Sequence, residues 1–131
     1  MSLFDQPKPY LNPAIWNSDK TMRPEVKQYL ITLLEKVFPM SKVFCLVMLG
    51  SSVSYQYGET SDVDINMMAR PGEEFDYWHT KFKLFNNKKL LPGTKHPINF
   101  FFQEFSPTLD WSNSLGAYDL LQDKWLKQPI P

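Results

Sequence analysis

Asp62 and Asp64 stand two residues apart in an alternating run, Asp62-Val63-Asp64-Ile65-Asn66-Met67. On a β-strand that spacing puts both carboxylates on one face, roughly 6.5–7 Å apart along the chain. Two negative charges so close repel unless something positive neutralises them. A hard divalent cation does this, because Mg²⁺ takes carboxylate oxygens together with phosphate oxygens. An ion so placed can activate an attacking hydroxyl and stabilise a leaving pyrophosphate. An Asp-x-Asp pair by itself is a weak signal, since in most proteins it is the solvated face of an edge strand.

Gly50-Ser51-Ser52 strengthens it. These residues follow an apolar run, 43–49, and precede a short segment, 53–58, expected to make a helical turn ended near Gly58. Glycine lets the backbone come close to a ligand. The unpaired N–H groups at the start of a helix favour phosphate, and a serine hydroxyl adds a donor. The bland alternative is a plain strand-to-helix turn. The two features suit each other: one would hold a triphosphate, the other the metal on it.

The elements that must position these residues are readable from periodicity. Val26, Leu30, Leu33, Leu34 and Val37 recur at helical spacing behind Pro24, which is tolerated in a first helical turn, and Pro39 is expected to end that helix. Residues 43–49 read as a fully buried strand and 62–68 as a half-buried one. Phe75, Trp78, Phe82 and Phe85 predict an amphipathic helix over 73–86, and 97–105 predicts a third strand. A short helix is expected over 118–126. Residues 1–22 read as an extended N-terminal arm anchored by Leu11, Ile15 and Trp16. The fold class is therefore α/β (α+β), a small mixed β-sheet flanked by helices.

The composition sets bounds. A chain of 131 residues fits one domain, 1–131, with its own core. Lys plus Arg and Asp plus Glu are 14 each, so the chain lacks the broad positive field of a dedicated duplex-DNA binder. The aromatic content of 15% suits a compact core built from large residues. The single cysteine, Cys45, cannot form an internal disulfide and suits a reducing, cytoplasmic setting. Residues 1–8 show no leader pattern, and the longest apolar run, 43–49, is far too short to span a bilayer, so no membrane partner is expected.

Leu49-Gly50-Ser51, Tyr57-Gly58 and Ser61-Asp62-Val63-Asp64-Ile65 together resemble the signature of the polymerase-beta-like nucleotidyltransferase superfamily. That signature is a Gly-Ser turn followed about ten residues later by Asp-x-Asp in a hydrophobic strand; here eleven residues separate Gly50 from Asp62. The order of elements also matches. The segments around Leu11-Asn12-Pro13, Trp16 and Lys20, and Gly116-Ala117-Tyr118-Asp119 with Lys124-Trp125-Leu126-Lys127, are similar to small, single-domain phage-type members. The resemblance implies a nucleotidyltransferase fold, an NTP substrate, and Mg²⁺ or Mn²⁺ as metal. It implies that Gly50, Ser51 and Ser52 hold phosphates and that Asp62 and Asp64 hold metal. The family places a third carboxylate on a later strand. In this chain that position falls on Asn99, within His96-Pro97-Ile98-Asn99-Phe100. An amide can ligate a metal through its oxygen but cannot act as a base.

Two readings follow. The first is an enzyme that transfers a nucleoside monophosphate from an NTP to an acceptor hydroxyl on a nucleic acid, a protein or a small molecule. The second is a catalytically weakened nucleotide- or protein-binding module of the same fold. Glu104 and Glu59 are alternative carboxylates; Glu104 lies five residues from Asn99, on the opposite face of an ideal strand. His96 and His79 read as structural or surface residues, and Lys81, Lys83, Lys88, Lys89 and Lys95 as a solvated face. An open sheet edge in so small a domain would suit a dimer or a partner protein, a toxin–antitoxin-like pair among them.

Overall fold

A computed structural model describes residues 7–69, 74–86, 88–104 and 111–129. Helix α1 (Pro24–Glu35) leads through a 3-10 turn, Met40–Lys42, into strand β1 (Val43–Leu49). A second 3-10 turn, Ser51–Val53, and a loop bring the chain to β2 (Val63–Ala69). Helix α2 (Phe75–Phe85) and β3 (Ile98–Glu104) follow, then β4 (Ala117–Asp119) and β5 (Lys124–Lys127). The architecture is α+β: two helices and one five-stranded mixed sheet in the order β3-β2-β1-β4-β5. Among the described residues only the β2–β3 pair is parallel, its crossover made by α2. The others are antiparallel.

Alternation divides the sheet into two faces. Leu46, Met48, Ile65, Met67, Phe100 and Phe102 point into the main core with Val26, Leu30, Leu33 and Leu34 of α1 and Phe82 of α2. Phe38, beyond α1, joins the layers: its ring meets Trp78 edge-on at 4.7 Å and Phe102 at 5.7 Å. The opposite face carries a smaller cluster of Val47, Met68 and Ala117, flanked by Cys45, Leu49, Trp111 and Leu126. Both helices therefore sit on one side, and Asp64 and Asn99 project from the other.

The arm is anchored as its sequence implies, with Leu11, Ile15 and Trp16 all buried. It is less extended than expected. A turn over residues 12–15 and a bridge between Trp16 and Met22 fold it onto the domain. The Trp16 indole stacks on Trp125 at 4.8 Å and its N–H donates to the Ser52 carbonyl.

Several expectations are corrected. The tail is a β-hairpin, not a helix over 118–126. Asp119 caps the turn by accepting from the N–H groups of Leu121 and Gln122, and Asp123 closes it at φ +52°. Tyr118 then pairs with Met48 on β1 and with Trp125 on β5. The helical turn expected over 53–58 lies earlier, at Ser51–Val53. Helix α1 ends at Glu35, ahead of Pro39. Strand β1 is buried only toward its C-terminal half, since Phe44 is about half exposed. Asp62 stands just before β2 rather than within it. Pro71 and Gly72, a pair that predicts the end of the second strand, lie outside the described residues, as does the side chain of Phe75. No helix among the described residues is long and apolar enough to cross a membrane.

Candidate functional site

The antiparallel register of β1 and β2 pairs Leu49 with Asp64. The residue after Leu49 therefore arrives beside the Asp64 carboxylate. That residue is Gly50, with φ +87° and ψ −162°, a conformation close to glycine's own. A Cβ built on Gly50 would lie 3.2 Å from Asp64 Oδ2. The backbone conformation thus calls for glycine, and a Cβ there would also make the Asp64 carboxylate shift by a few tenths of an ångström.

Ser51 and Ser52 have different surroundings. Ser51 is half-buried, and its carbonyl accepts from the Ser54 N–H and the Ser54 hydroxyl. Ser52 is fully buried, and its hydroxyl donates to the Asp62 carbonyl at 2.7 Å. Ser52 therefore ties the glycine turn to the start of β2 instead of presenting its hydroxyl to solvent. The turn itself is three residues long, so the helix N-terminus expected after Gly50-Ser51 is reduced to a single 3-10 turn.

Asp62 is exposed and Asp64 half-buried. Burial, and then the Asp62 charge, push the Asp64 carboxyl above the usual carboxylate range, while a hydrogen bond from Asn99 lowers it. The parallel β2–β3 register places Asn99 opposite Asp64, and Asn99 Nδ2 donates to Asp64 Oδ1 at 3.5 Å. The site thus gathers Gly50, Asp62, Asp64 and Asn99 at one end of three adjacent strands.

Asp62 and Asp64 are the carboxylates that would hold a hard divalent ion here. A carboxylate raised by burial, and then by a neighbouring carboxylate, gains from added positive charge. Mg²⁺ or Mn²⁺ needs only one or two protein carboxylates when phosphate and water complete the octahedron. No group of three or more His, Cys, Asp or Glu that could hold a metal is found among the described residues. Asp62 and Asp64 would therefore act with a neutral neighbour, Asn99. Glu59 is exposed and pairs with Lys95 at 3.4 Å. Glu104 pairs in register with Ala69, five positions past Asn99, and its side chain lies outside the described residues.

His96 supports the site from below. It is buried, with Nε2 2.9 Å from Asn12 Nδ2 and Nδ1 2.8 Å from the Ser61 carbonyl. Its ring joins the arm, the loop before Asp62 and the start of β3. The role of Asn12 in this link was not legible in the sequence; the only signal was its place between Leu11 and Pro13, next to the arm's apolar anchors. Beside the link opens a cleft of about 630 Å³ lined by Lys8, Tyr57, Glu59, Lys95 and His96 among others; none of Asp62, Asp64 or Asn99 lines it. The lysines at 81, 83, 88, 89 and 95 are exposed, as a solvated face requires. No protein-family model, no curated protein and no solved structure matches the chain.

Proposed function

We propose that the chain has a nucleotidyltransferase fold and moves a nucleoside monophosphate from an NTP to an acceptor hydroxyl. The observation that carries this reading is the convergence of Gly50 on Asp64. A turn that only glycine can make is pressed against a half-buried carboxylate whose partner carboxylate, Asp62, is tethered by the same turn. Such a juxtaposition suits a ligand that is both a phosphate and a metal complex.

In this reading the Gly50 and Ser51 turn would receive the phosphates, and Asp62 and Asp64 would hold Mg²⁺ or Mn²⁺. The ion supplies charge neutralisation at the phosphates. The acceptor oxygen forms a bond to the α-phosphorus, the bond from that phosphorus to the bridging oxygen breaks, and pyrophosphate leaves with the electron pair. The acceptor proton passes to solvent, because Asn99 has no basic atom to receive it. Asn99 instead orients the Asp64 carboxylate.

Asn99 also favours a second reading, a module that binds the nucleotide complex without efficient transfer. The two separate in one assay. Protein is incubated with Mg²⁺, α-phosphate-labelled NTPs and a panel of nucleic-acid, protein and small-molecule acceptors. Labelled product or pyrophosphate that disappears in Asp64→Asn supports the transferase. Nucleotide binding without product, in both the native chain and Asn99→Asp, supports the module.

A further inference from the structure

Phe101 is the exception in its strand. Phe100 and Phe102 are buried in the main core, whereas Phe101 points to the opposite face and is 43% exposed. A lone exposed aromatic is ordinary. Its register is not: Phe101 pairs with Asn66 across β2–β3, and the next row along the same face is Asp64 with Asn99. Asp64, Asn66, Asn99 and Phe101 thus make a small rectangle, with Asp64 and Phe101 at opposite corners roughly 8 Å apart by strand spacing. On this face Val47, Ala117 and Met68 of β2 form the small cluster with Trp111 and Leu126, and Asn99 is buried. Beside them Asn66 and Gln103 are half-buried and Phe101 is exposed.

The edge beside Phe101 is not free for another strand. The Asn86 side chain donates to the Phe100 carbonyl and accepts from the Phe100 N–H, both at 2.8 Å, and the Ile98 N–H donates to the Lys89 carbonyl at 2.9 Å. What β3 offers is its flat face: an open ring beside an amide that carries both donor and acceptor groups.

The geometry points to Phe101 and Asn66 as a platform for a nucleobase, the ring stacking on its face and the amide meeting its edge. Rings of this kind stack bases without demanding one sequence, and the Asn66 amide supplies paired hydrogen-bonding groups. This rests on the nucleotide reading of the Asp64 site and deepens it. The base belongs either to the NTP or to the terminal nucleotide of an acceptor strand; the chemistry of recognition is the same.

The test measures affinities of the full chain, with Mg²⁺, for ATP, for inorganic tripolyphosphate and for a short oligoadenylate with a free terminal hydroxyl. Phe101→Leu removes the ring and keeps apolar bulk at an exposed position; Phe101→Trp keeps a ring. About tenfold weaker ATP binding in Phe101→Leu, restored in Phe101→Trp and with tripolyphosphate unchanged, is the expected result if the base is that of the NTP. The same loss confined to oligoadenylate assigns the platform to the acceptor. Unchanged affinities for both base-bearing ligands would overturn the platform, as would a Phe101→Leu change that only converts a dimer to a monomer. If the native chain binds tripolyphosphate as well as ATP and ignores oligoadenylate, the platform falls and the phosphate site stands. If it binds none of the three, both fall.

Discussion

Asn99 faces Asp64 across the parallel β2–β3 pair, with its amide nitrogen 3.5 Å from Asp64 Oδ1. A carboxylate at that position would repel Asp64 in the absence of metal and attract a cation in its presence. The amide instead eases the charge on a half-buried group.

Asn99→Asp should therefore separate stability from metal affinity. Without metal the variant is expected to be less stable by about 1 kcal/mol, because a third carboxylate joins Asp62 and the half-buried Asp64. With Mg²⁺ it should regain that loss, and bind the ion roughly tenfold more tightly. Thermal melts with and without Mg²⁺ check this. A variant that melts alike in both conditions would show that position 99 does not face the metal site.

Gly50→Ala should destabilise the chain by about 1–3 kcal/mol, the usual cost of a non-glycine residue in such a backbone region. The added Cβ also meets Asp64 Oδ2 at 3.2 Å, so metal-dependent nucleotide binding should fall with stability. Denaturant titration measures the first effect and calorimetry the second. A loss under about 0.5 kcal/mol, the range of a neutral surface change, would contradict the strained turn.

The two serines should behave oppositely. Ser52→Ala removes the tether to the Asp62 carbonyl and is expected to cost about 1–2 kcal/mol of stability. Ser51→Ala should leave the melting temperature nearly unchanged and weaken binding of tripolyphosphate. Equal stability losses in the two variants would undo this division of labour.

Cys45 is a thiol that resists ionisation. Burial, then the Asp119 carboxylate, push it up to about 11, and its Sγ lies 3.2 Å from Met68 Sδ. Because only the thiolate reacts, alkylation by iodoacetamide should be slow at neutral pH. Its rate should keep rising through pH 10. A rate that levels off near pH 8.5, the ordinary thiol value, would show that Cys45 is not shielded.

Where local pattern and tertiary contact agree, the sequence was a sufficient guide. Pro24 marked the start of α1, the apolar run 43–49 marked β1 to the residue, and the alternation from Asp62 marked β2 within one. The hairpin at the tail was not legible. Strands of three and four residues are too short to show alternation, and what creates them is the pairing of β4 with the distant β1 and of β5 with β4. At the site, Gly50, Asp62 and Asp64 were visible from type and spacing. Placing Asn99 beside them needed family resemblance as well as pattern, and the parallel register puts it there. The role of Ser52 was hidden, since a serine beside a glycine reads as a ligand donor, and only the fold turns its hydroxyl back to Asp62.

The central claim is that Asp64 and Gly50 form one metal–nucleotide site, and its most direct measurement is calorimetric titration of an NTP with Mg²⁺ and with EDTA. The native chain should bind the NTP only when Mg²⁺ is present, and Asp64→Asn, with an unchanged far-ultraviolet spectrum, should lose that metal-dependent binding. Equal affinity in Asp64→Asn, or no binding by the folded native chain, would contradict the claim.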